Sequence, residues 1–312
     1  MNEEIDYKTS HIIGIRYMTE DFIQSILDDA SEIKKNPSKY AENLKGKILS
    51  LAFWEASTRT RLSFESAMLR LGGQTLGFSS QAGTSIEKGE SLSDTITMLA
   101  GYSNCIVLRH PQRGSSKLAA EVADKYGVPV ISGGSGSQEH PTQALLDIFT
   151  IQEYHHRLSG LNVGIVGDLR YSRTISSLLF ALGKFGRNTI HYLSHPSLRL
   201  QDELVYDLES TDLEMHKATN LAEIINDLDV LYVTRLQKER FPDPMLYNKV
   251  KSSYRLRSDL MKAAKEDLII MHPLPRVDEI PYAIDRFPQA KYFEQAENGV
   301  YTRMSLLNRL IQ

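Results

Sequence analysis

The sequence predicts an α/β protein made of two doubly wound domains, each built on a parallel sheet. Strand-like apolar runs alternate with helical patterns along almost all of the 312 residues. Most of these runs are rich in Val, Ile and Leu and lack polar alternation, which is typical of strands buried on both faces of a parallel sheet. The length is sufficient for about two domains. Since such folds bind ligands beyond the carboxyl ends of their strands, we expect the active site there, between the two domains.

The individual elements follow from these patterns in chain order. The predicted strands are KILSLAFW (47–54), CIVLRH (105–110), VPVISG (128–133), LNVGIVGD (161–168), TIHYLS (189–194), DVLYVTR (229–235) and LIIMHP (268–273). The amphipathic segments between them lie near 59–72, 115–126, 141–157, 171–186 and 255–265. The helical segment HPTQALLDIFTIQEYHHRL precedes a restart of the strand pattern, so we place the domain boundary near residue 141.

The composition argues against several classes of protein. The hydrophobic content of 41% and the charged content of 24% are ordinary for a globular protein. A net charge of −3 argues against nucleic-acid binding through a bulk positive field. The single cysteine, Cys105, excludes an internal disulfide and lies in a buried-strand pattern, so we expect a core thiol. No apolar run reaches membrane-spanning length, and we expect a cytoplasmic protein with neither a membrane nor a nucleic-acid partner.

The densest functional motif is FWEASTRTRLSFE, where the first strand ends and a helix begins. A helix start presents unpaired N–H groups and the positive end of the macrodipole, and therefore attracts anions. Hydroxyl groups and a guanidinium add further donors, since arginine matches the geometry of phosphate or carboxylate. An ordinary N-cap explains one hydroxyl but not the whole set. We therefore predict an anion site at Ser57, Thr58, Arg59 and Thr60.

Basic side chains recur at later strand ends, which indicates a strongly anionic set of substrates. They are Arg109, Arg173, Arg235 and His272. The chain lacks a full G-x-G-x-x-G fingerprint, a nucleotide P-loop, a metal-ligand spacing and a Ser/His/Asp elbow. We therefore expect no metal and no cofactor. Positioning and electrostatic stabilisation should supply the catalysis.

Six motifs, including the one already described, carry a resemblance to a known family. FWEASTRTRLSFE, VLRHPQ, EHPTQALLD, GDLRYSRT, YVTRLQKER and HPLPRVDEI occur in order from residue 47 to the C-terminal region. Together they resemble the aspartate/ornithine carbamoyltransferase family, and the resemblance covers nearly the whole chain. HPLP and TRLQKER replace the HCLP motif and the serine-methionine-glycine loop that are typical of the ornithine branch, so the second half is similar to the aspartate branch.

The resemblance implies a reaction and a division of labour. The carbamoyl group of carbamoyl phosphate would pass to the amine of L-aspartate, giving N-carbamoyl-L-aspartate and phosphate in pyrimidine biosynthesis. Residues 1–141 would bind carbamoyl phosphate, with the C-terminal helix 297–312 packing back onto them, and residues 142–296 would bind aspartate. The catalytic residues would be Arg59, Thr60, Arg109 and His140. The carbamoyl phosphate site would comprise Ser57, Thr58, Arg59, Thr60, Arg109, His140, Gln143 and the backbone oxygens of Pro273 and Leu274. The aspartate site would comprise Lys88, Arg173, Arg235 and Gln237.

The resemblance also implies shared sites in a cyclic homotrimer. Ser85 and Lys88, in the polar loop 79–91, would reach the neighbouring subunit's site, although the loop spacing leaves open whether Thr84 supplies the hydroxyl instead. This loop and residues 234–250 are expected to be mobile. Domain closure would involve Glu55, Glu239 and Arg240. Glu139 departs from the uncharged residue that often precedes HPTQ, and it either has a raised pKa or turns away from the anion site.

Three alternatives remain at this point. They are a carbamoyltransferase for another amino acid, a nucleotide-dependent oxidoreductase and a non-catalytic scaffold. The missing glycine fingerprint disfavours the oxidoreductase, and the retained catalytic-type residues disfavour the scaffold. The sequence leaves open whether separate regulatory chains bind.

Overall fold

The computed structural model describes residues 10–136, 139–236, 245, 247 and 254–311. Within them the chain forms nine β-strands, arranged in two sheets, and eight α-helices. The chain divides into two compact units, of which unit 1 comprises Met1–Leu146 with Glu297–Gln312 and unit 2 comprises Asp147–Ala296. Both sheets are parallel, so the predicted α/β class is confirmed.

Unit 1 contains the first sheet and most of the helices. Its strands are β1 (Ile48–Phe53), β2 (Gln74–Phe78), β3 (Cys105–His110) and β4 (Val130–Ser135), in the order β2-β1-β3-β4. Its helices are α1 (Glu20–Lys35), α2 (Thr58–Arg70), α3 (Leu92–Tyr102) and α4 (Ser115–Asp124), with parts of α5 (Pro141–His155) and α8 (Tyr292–Leu310). The strand order reverses between β1 and β3, and a doubly wound sheet binds ligands at such a point.

The end of α8 packs against α1 within unit 1. Ser305 Oγ donates to the carbonyl oxygen of Ile26 at 3.0 Å, and Arg309 Nε donates to Asp29 Oδ2 at 2.6 Å. Ser305 and the neighbouring Leu306 are completely buried. The C-terminal segment is therefore part of the core of unit 1.

Unit 2 contains the second sheet. Its strands are β5 (Asn162–Val166), β6 (Asn188–Leu193), β7 (Leu213–Lys217), β8 (Val230–Val233) and β9 (Ile269–Met271), in the order β7-β6-β5-β8-β9. Helices α6 (Arg173–Leu182) and α7 (Asp202–Leu208) follow β5 and β6. Here the order reverses between β5 and β8. The turn after β5 requires Gly167, whose φ is +121° and where a Cβ would lie 2.3 Å from the carbonyl oxygen of Thr234.

Each unit has its own apolar core. Ile106 and Leu108 of β3 are completely buried in the core of unit 1, and Leu231 and Ile270 are completely buried in the core of unit 2. Cys105 is also fully buried, and burial raises the pKa of its thiol, so the predicted core thiol is confirmed. In the described part of the chain, no helix has the length and apolar character needed to cross a membrane.

The structure differs from the sequence-based prediction at several segments. Helices α1, α3 and α7 lie outside the amphipathic segments that were predicted from the sequence. Strands β2 and β7 were also not predicted, because these edge strands consist of exposed and half-buried residues and contain no apolar run. The predicted helix near 255–265 is wrong, since only a 3₁₀ turn forms, at Leu260–Lys262. Its apolar residues Leu256 and Met261 are buried in the core, but the Leu256 N–H donates to Glu279 O at 2.8 Å rather than within a helix.

Candidate active site

The predicted anion site lies at the carboxyl end of β1. Helix α2 begins at Thr58, and Ser57 occupies the N-cap position. Within the described residues the Ser57 side chain makes no capping hydrogen bond, so the helix end does not consume this hydroxyl. Thr58 and Arg59 are exposed on the first turn. Free first-turn amides, two hydroxyls and a guanidinium thus share one helix start, which suits an oxygen-rich anion.

Arg109 reaches the same edge of the sheet from the neighbouring strand. It pairs in register with Phe53, the last residue of β1. Its Nη1 donates to the carbonyl oxygen of Gly133 at 3.0 Å, and its Nε lies 3.7 Å from Glu55 Oε2. The side chain is only 14% exposed. Arg109 is therefore held in one orientation by groups at the carboxyl ends of β1 and β4.

His140 takes part in a buried chain of polar contacts in unit 1. Its Nε2 lies 3.4 Å from Thr60 Oγ1, and its Nδ1 lies 3.5 Å from Thr142 Oγ1. Arg303 Nη2 donates to Thr142 Oγ1 at 3.3 Å. An arginine can only donate, so the Thr142 hydroxyl accepts from Arg303, and its own proton stays available for His140 Nδ1. When Thr142 donates to Nδ1, the ring proton is on Nε2, and this nitrogen is a donor.

The sequence analysis did not identify Arg303. It is 2% exposed, lies on α8 and stacks on the Phe64 ring, with 4.9 Å from its guanidinium carbon to the ring centroid. The available signal was its position in the C-terminal helix beside the apolar residues Met304, Leu306 and Leu307, which are buried. A buried cation at such a position usually has a specific polar partner.

Glu139 turns toward the N-terminal segment of unit 1. It is 6% exposed, and its carboxylate accepts from the backbone N–H of Ile15 at 2.6 Å and from Arg16 Nε at 2.5 Å. Burial raises the pKa of Glu139, and the contacts with Arg16 and the Ile15 amide oppose that rise. The acid beside HPTQ therefore anchors the segment that precedes α1. Both of the outcomes considered from the sequence, a raised pKa and an orientation away from the anion site, occur together.

Residues Ser85 and Lys88 are exposed on a short 3₁₀ turn. In the described part of the chain, no hydrogen bond or ion pair joins either side chain to the start of α2. The Thr84 hydroxyl donates to the carbonyl oxygen of Gln81 at 2.6 Å and so participates in a local turn. Gln143 differs from these residues because it is half-buried in the first turn of α5, where its N–H donates to His140 O at 3.0 Å.

The predicted carboxylate-binding arginines lie at the carboxyl edge of the sheet in unit 2. Arg173 is the first residue of α6, the helix that follows β5. Arg235 comes two residues after the end of β8. Asp168, which follows β5, is fully buried, and its N–H donates to Thr234 Oγ1 at 3.0 Å. Its Oδ1 accepts from two successive backbone amides, at 3.1 and 3.0 Å. This Asp therefore shapes the turn that leads to Arg173, a role that the GD dipeptide after a strand could have indicated.

Residues Pro273 and Leu274 follow β9 at the same edge. Leu274 has a φ of +56°, and its N–H donates to His272 Nδ1 at 2.8 Å. His272 Nε2 in turn lies 2.8 Å from Glu279 Oε1. The sequence predicts His272 as a basic group of an anionic pocket, but its side chain is fully buried and bonded on both ring nitrogens. It therefore supports the turn rather than presenting a positive charge at the edge.

Three predicted residues, Gln237, Glu239 and Arg240, lie outside the described residues. Among the residues that the structure describes, no group of three or more His, Cys, Asp or Glu side chains is arranged to hold a metal ion. The described residues at the two sheet edges provide hydroxyls, guanidiniums, imidazoles and backbone carbonyls. Such a set can bind anions and stabilise a developing negative charge.

Family models match both halves of the chain. Residues 10–153 match the aspartate/ornithine carbamoyltransferase carbamoyl-P binding domain, and residues 159–310 match the Asp/Orn binding domain of the same family. Among curated relatives, the aspartate carbamoyltransferase catalytic subunit of Pyrobaculum arsenaticum is 52% identical over 92% of this chain and 94% of the relative. The corresponding subunit of Methanocaldococcus jannaschii is 45% identical over 97% of this chain and 98% of the relative.

Solved structures agree with these relatives. The catalytic subunit of M. jannaschii aspartate transcarbamoylase superposes with a TM-score of 0.90 at 44% identity, covering 97% of this chain and 98% of that one. Aspartate transcarbamoylase from Trypanosoma cruzi, solved with carbamoyl phosphate, gives a TM-score of 0.91 at 35% identity, covering 98% and 97%. The motifs, the two parallel sheets and these matches lead to one conclusion: the chain belongs to the aspartate/ornithine carbamoyltransferase family.

Proposed function

We propose that this chain transfers the carbamoyl group of carbamoyl phosphate to the amine of L-aspartate, in pyrimidine biosynthesis. The products are N-carbamoyl-L-aspartate and phosphate. One observation carries the proposal: in each unit, anion-binding side chains stand at the carboxyl ends of adjacent strands where the strand order reverses. Relatives named aspartate carbamoyltransferase, and the T. cruzi enzyme solved with carbamoyl phosphate and aspartate, support the identity of the substrates.

In this proposal, unit 1 binds carbamoyl phosphate. The start of α2 cradles the phosphate with Ser57, Thr58, Arg59 and Thr60, where amides, hydroxyls and a guanidinium converge on one anion. Arg109 bridges the phosphate and the carbonyl oxygen. Thr60 and His140 join Arg109 in polarising that oxygen, and Gln143 holds the amide of the carbamoyl group.

Unit 2 binds aspartate in the same proposal. Arg173 and Arg235 hold the two carboxylates, and Gln237 assists them. The backbone oxygens of Pro273 and Leu274 accept hydrogen bonds from the carbamoyl amide and the attacking amine. The site thus provides donors for the acidic groups of aspartate and acceptors for its nitrogen.

The reaction needs no protein base. The neutral amine nitrogen attacks the carbonyl carbon, and a tetrahedral oxyanion forms opposite Arg109, Thr60 and the Nε2–H of His140. Donors already aimed at that oxygen lower the barrier, each by on the order of 3 kcal/mol. The bond between the carbonyl carbon and the bridging oxygen then breaks, this oxygen leaves with the phosphate, and the departing phosphate takes the amine proton.

The same proposal extends to assembly, closure and location. The chain forms a cytoplasmic homotrimer in which Lys88 and a hydroxyl of the polar loop complete a neighbour's site. Ser85 is the better hydroxyl, because that of Thr84 is bonded to Gln81. On closure Glu55 exchanges its contact with Arg109 for Arg173 and Arg240, while Glu239 steadies Arg235. Association with separate regulatory chains stays an open question.

Phosphate release tests the proposal. The purified chain is supplied with carbamoyl phosphate and either L-aspartate or L-ornithine, and N-carbamoyl-aspartate is identified by mass spectrometry. We expect turnover with aspartate and almost none with ornithine, whose second ammonium group would meet the guanidiniums of Arg173 and Arg235. Comparable turnover of both acceptors, or no turnover of either, would refute the assignment.

A further inference from the structure

A buried pair of side chains in unit 2 controls the direction of one peptide group. His272 Nδ1 accepts the N–H of Leu274 at 2.8 Å, so this nitrogen carries no proton and Nε2 does. Nε2 therefore donates to Glu279 Oε1 at 2.8 Å, and the same oxygen accepts the N–H of Val277 at 3.1 Å. The side chains of His272 and Glu279 are 0% and 7% exposed, so little water competes for these bonds.

This arrangement determines where the Pro273 carbonyl points. The C=O of Pro273 and the N–H of Leu274 belong to one planar peptide group, which is trans. In a trans peptide these two bonds point in opposite directions. Because the N–H points at the buried His272 ring, the carbonyl oxygen points away from it.

The conformation of Leu274 needs this support. Its φ of +56° lies in the left-handed region, which is sterically unfavourable for a residue that carries a β-carbon. Such a conformation persists only where neighbouring groups hold it. In the described part of this turn, the Leu274 N–H donates to the His272 ring, and this bond supports the left-handed conformation.

The backbone of His272 is anchored by a second set of buried bonds. Its N–H donates to Gln295 Oε1 at 2.8 Å, and Gln295 Nε2 donates to Asp147 Oδ1 at 2.6 Å. Asp147 Oδ2 accepts from the Tyr232 hydroxyl at 2.8 Å, and that hydroxyl also bonds with Thr174. Burial and the nearby Asp147 carboxylate raise the pKa of Tyr232, which therefore stays a donor. One polar chain thus connects the turn after β9 with the helix start that carries Arg173.

We propose that His272 and Glu279 are positioning residues for carbamoyl transfer, because they aim the Pro273 and Leu274 carbonyl oxygens at the incoming nitrogen. The inference rests on the proposed function and adds two residues that do not touch the substrate. His272 acts as a neutral imidazole protonated on Nε2, and Glu279 acts as its acceptor. Neither residue transfers a proton in the reaction.

The test separates position from stability. Glu279→Ala and His272→Ala remove the support. Glu279→Gln keeps an oxygen that accepts the His272 Nε2–H. His272→Asn keeps an oxygen that accepts the Leu274 N–H. Asp229→Asn is the matched control, since Asp229 is 4% exposed and paired with Lys265 and Arg157, but stands before β8, at the other end of the strands. Thermal unfolding, kcat and KM for aspartate, and calorimetric binding of carbamoyl phosphate are measured for all five.

We expect kcat to fall about 100-fold in Glu279→Ala and His272→Ala, because a displacement of about 1 Å at the reacting groups costs that much. Glu279→Gln should stay within about fivefold of the unaltered chain, and carbamoyl phosphate affinity within about twofold. If an alanine variant does not fold, the kcat of His272→Asn tests the inference instead. It should fall about tenfold, because the hydrogen bond from residue 272 to Glu279 is lost.

Two outcomes are distinguishable. Absence of carbamoyl transfer by the unaltered chain overturns the proposed function. If the unaltered chain is active and the His272 and Glu279 variants have the same kcat per folded molecule as Asp229→Asn, only this inference is overturned.

Discussion

The carboxyl edges of the two sheets present their functional groups in different ways. In unit 1 they are mostly side chains on one helix start, and Thr58 and Arg59 are exposed there. In unit 2 they include backbone carbonyls at a left-handed residue, supported by the fully buried His272 and the nearly buried Glu279. The difference follows from what each edge is proposed to bind. A phosphate needs only donors, which a helix start supplies, whereas an amine needs acceptors, which backbone oxygens supply only when the turn is held in place.

The largest effect is expected at Arg109. Arg109→Ala should lower kcat by about 10³-fold, because it removes a donor to the oxyanion that no neighbouring side chain replaces. Arg109→Lys should recover only part of the loss, since an ammonium cannot bridge two oxygens as a planar fork does. Steady-state kinetics with aspartate provides the measurement. A kcat of the alanine variant within tenfold of the unaltered chain would contradict the role assigned to Arg109.

The second prediction concerns the exposed loop of unit 1. Lys88→Ala and Arg59→Ala should each lose activity by about 10²-fold, because each removes a charge proposed to contact the phosphate. Mixed after dissociation and allowed to reassociate, the two inactive variants should regain activity, since a head-to-tail trimer containing both has about one intact site in three. The unaltered chain taken through the same treatment is the control. Well-mixed hybrids that remain inactive would show that Lys88 does not act across an interface.

The third prediction compares the two buried glutamates. Glu139→Ala should lower the free energy of unfolding by about 3 kcal/mol, because it leaves Arg16 and the Ile15 amide without their acceptor. Turnover per folded molecule should stay within about threefold, unlike that of Glu279→Ala. Denaturant unfolding and kinetics on the same samples check both statements. A loss of turnover without loss of stability would show that Glu139 acts in the site.

The fourth prediction concerns the orientation of the His140 ring. Arg303→Met should lower kcat about tenfold, because the Thr142 hydroxyl is then no longer held as a donor to Nδ1. Thr142→Val should have a similar effect, and the double variant should lose little more than either single variant, since both changes break one chain of contacts. Fully additive losses in a double-mutant cycle would argue against this chain.

The smallest effect concerns acid stability in unit 2. Burial alone would raise the pKa of Glu279, but hydrogen bonds from the His272 ring and from two backbone amides bring it below the usual 4.5. A lowered pKa contributes stability above pH 4.5, and that stability is lost as the pH falls through the native pKa. The free-energy difference between the unaltered chain and Glu279→Gln should therefore shrink below pH 4.5. A difference that stays constant between pH 6 and 3 would contradict it.

Local patterns predicted much of the fold and the site. Strands β1, β3 and β5 were predictable because both of their faces are buried, which leaves uninterrupted apolar runs. The start of α2 was predictable because its functional groups are consecutive in the chain, so Ser57 to Thr60 meet through helix geometry alone. Strands β2 and β7 were not predictable, since each lies at the edge of its sheet with no neighbouring strand on one side, and their sequences contain no apolar run.

By itself the sequence determined the α/β class, the family and the identity of most candidate side chains, because these depend on local periodicity and on motifs of adjacent residues. Only the tertiary structure decided which way Glu139 turns, that Arg303 reaches Thr142 across 161 positions, and that Glu279 meets His272 rather than solvent. Each of these depends on which polar atoms the packed core brings within about 3 Å of one another. A buried charge takes the partner that packing provides, and that choice is not encoded by neighbours in the chain.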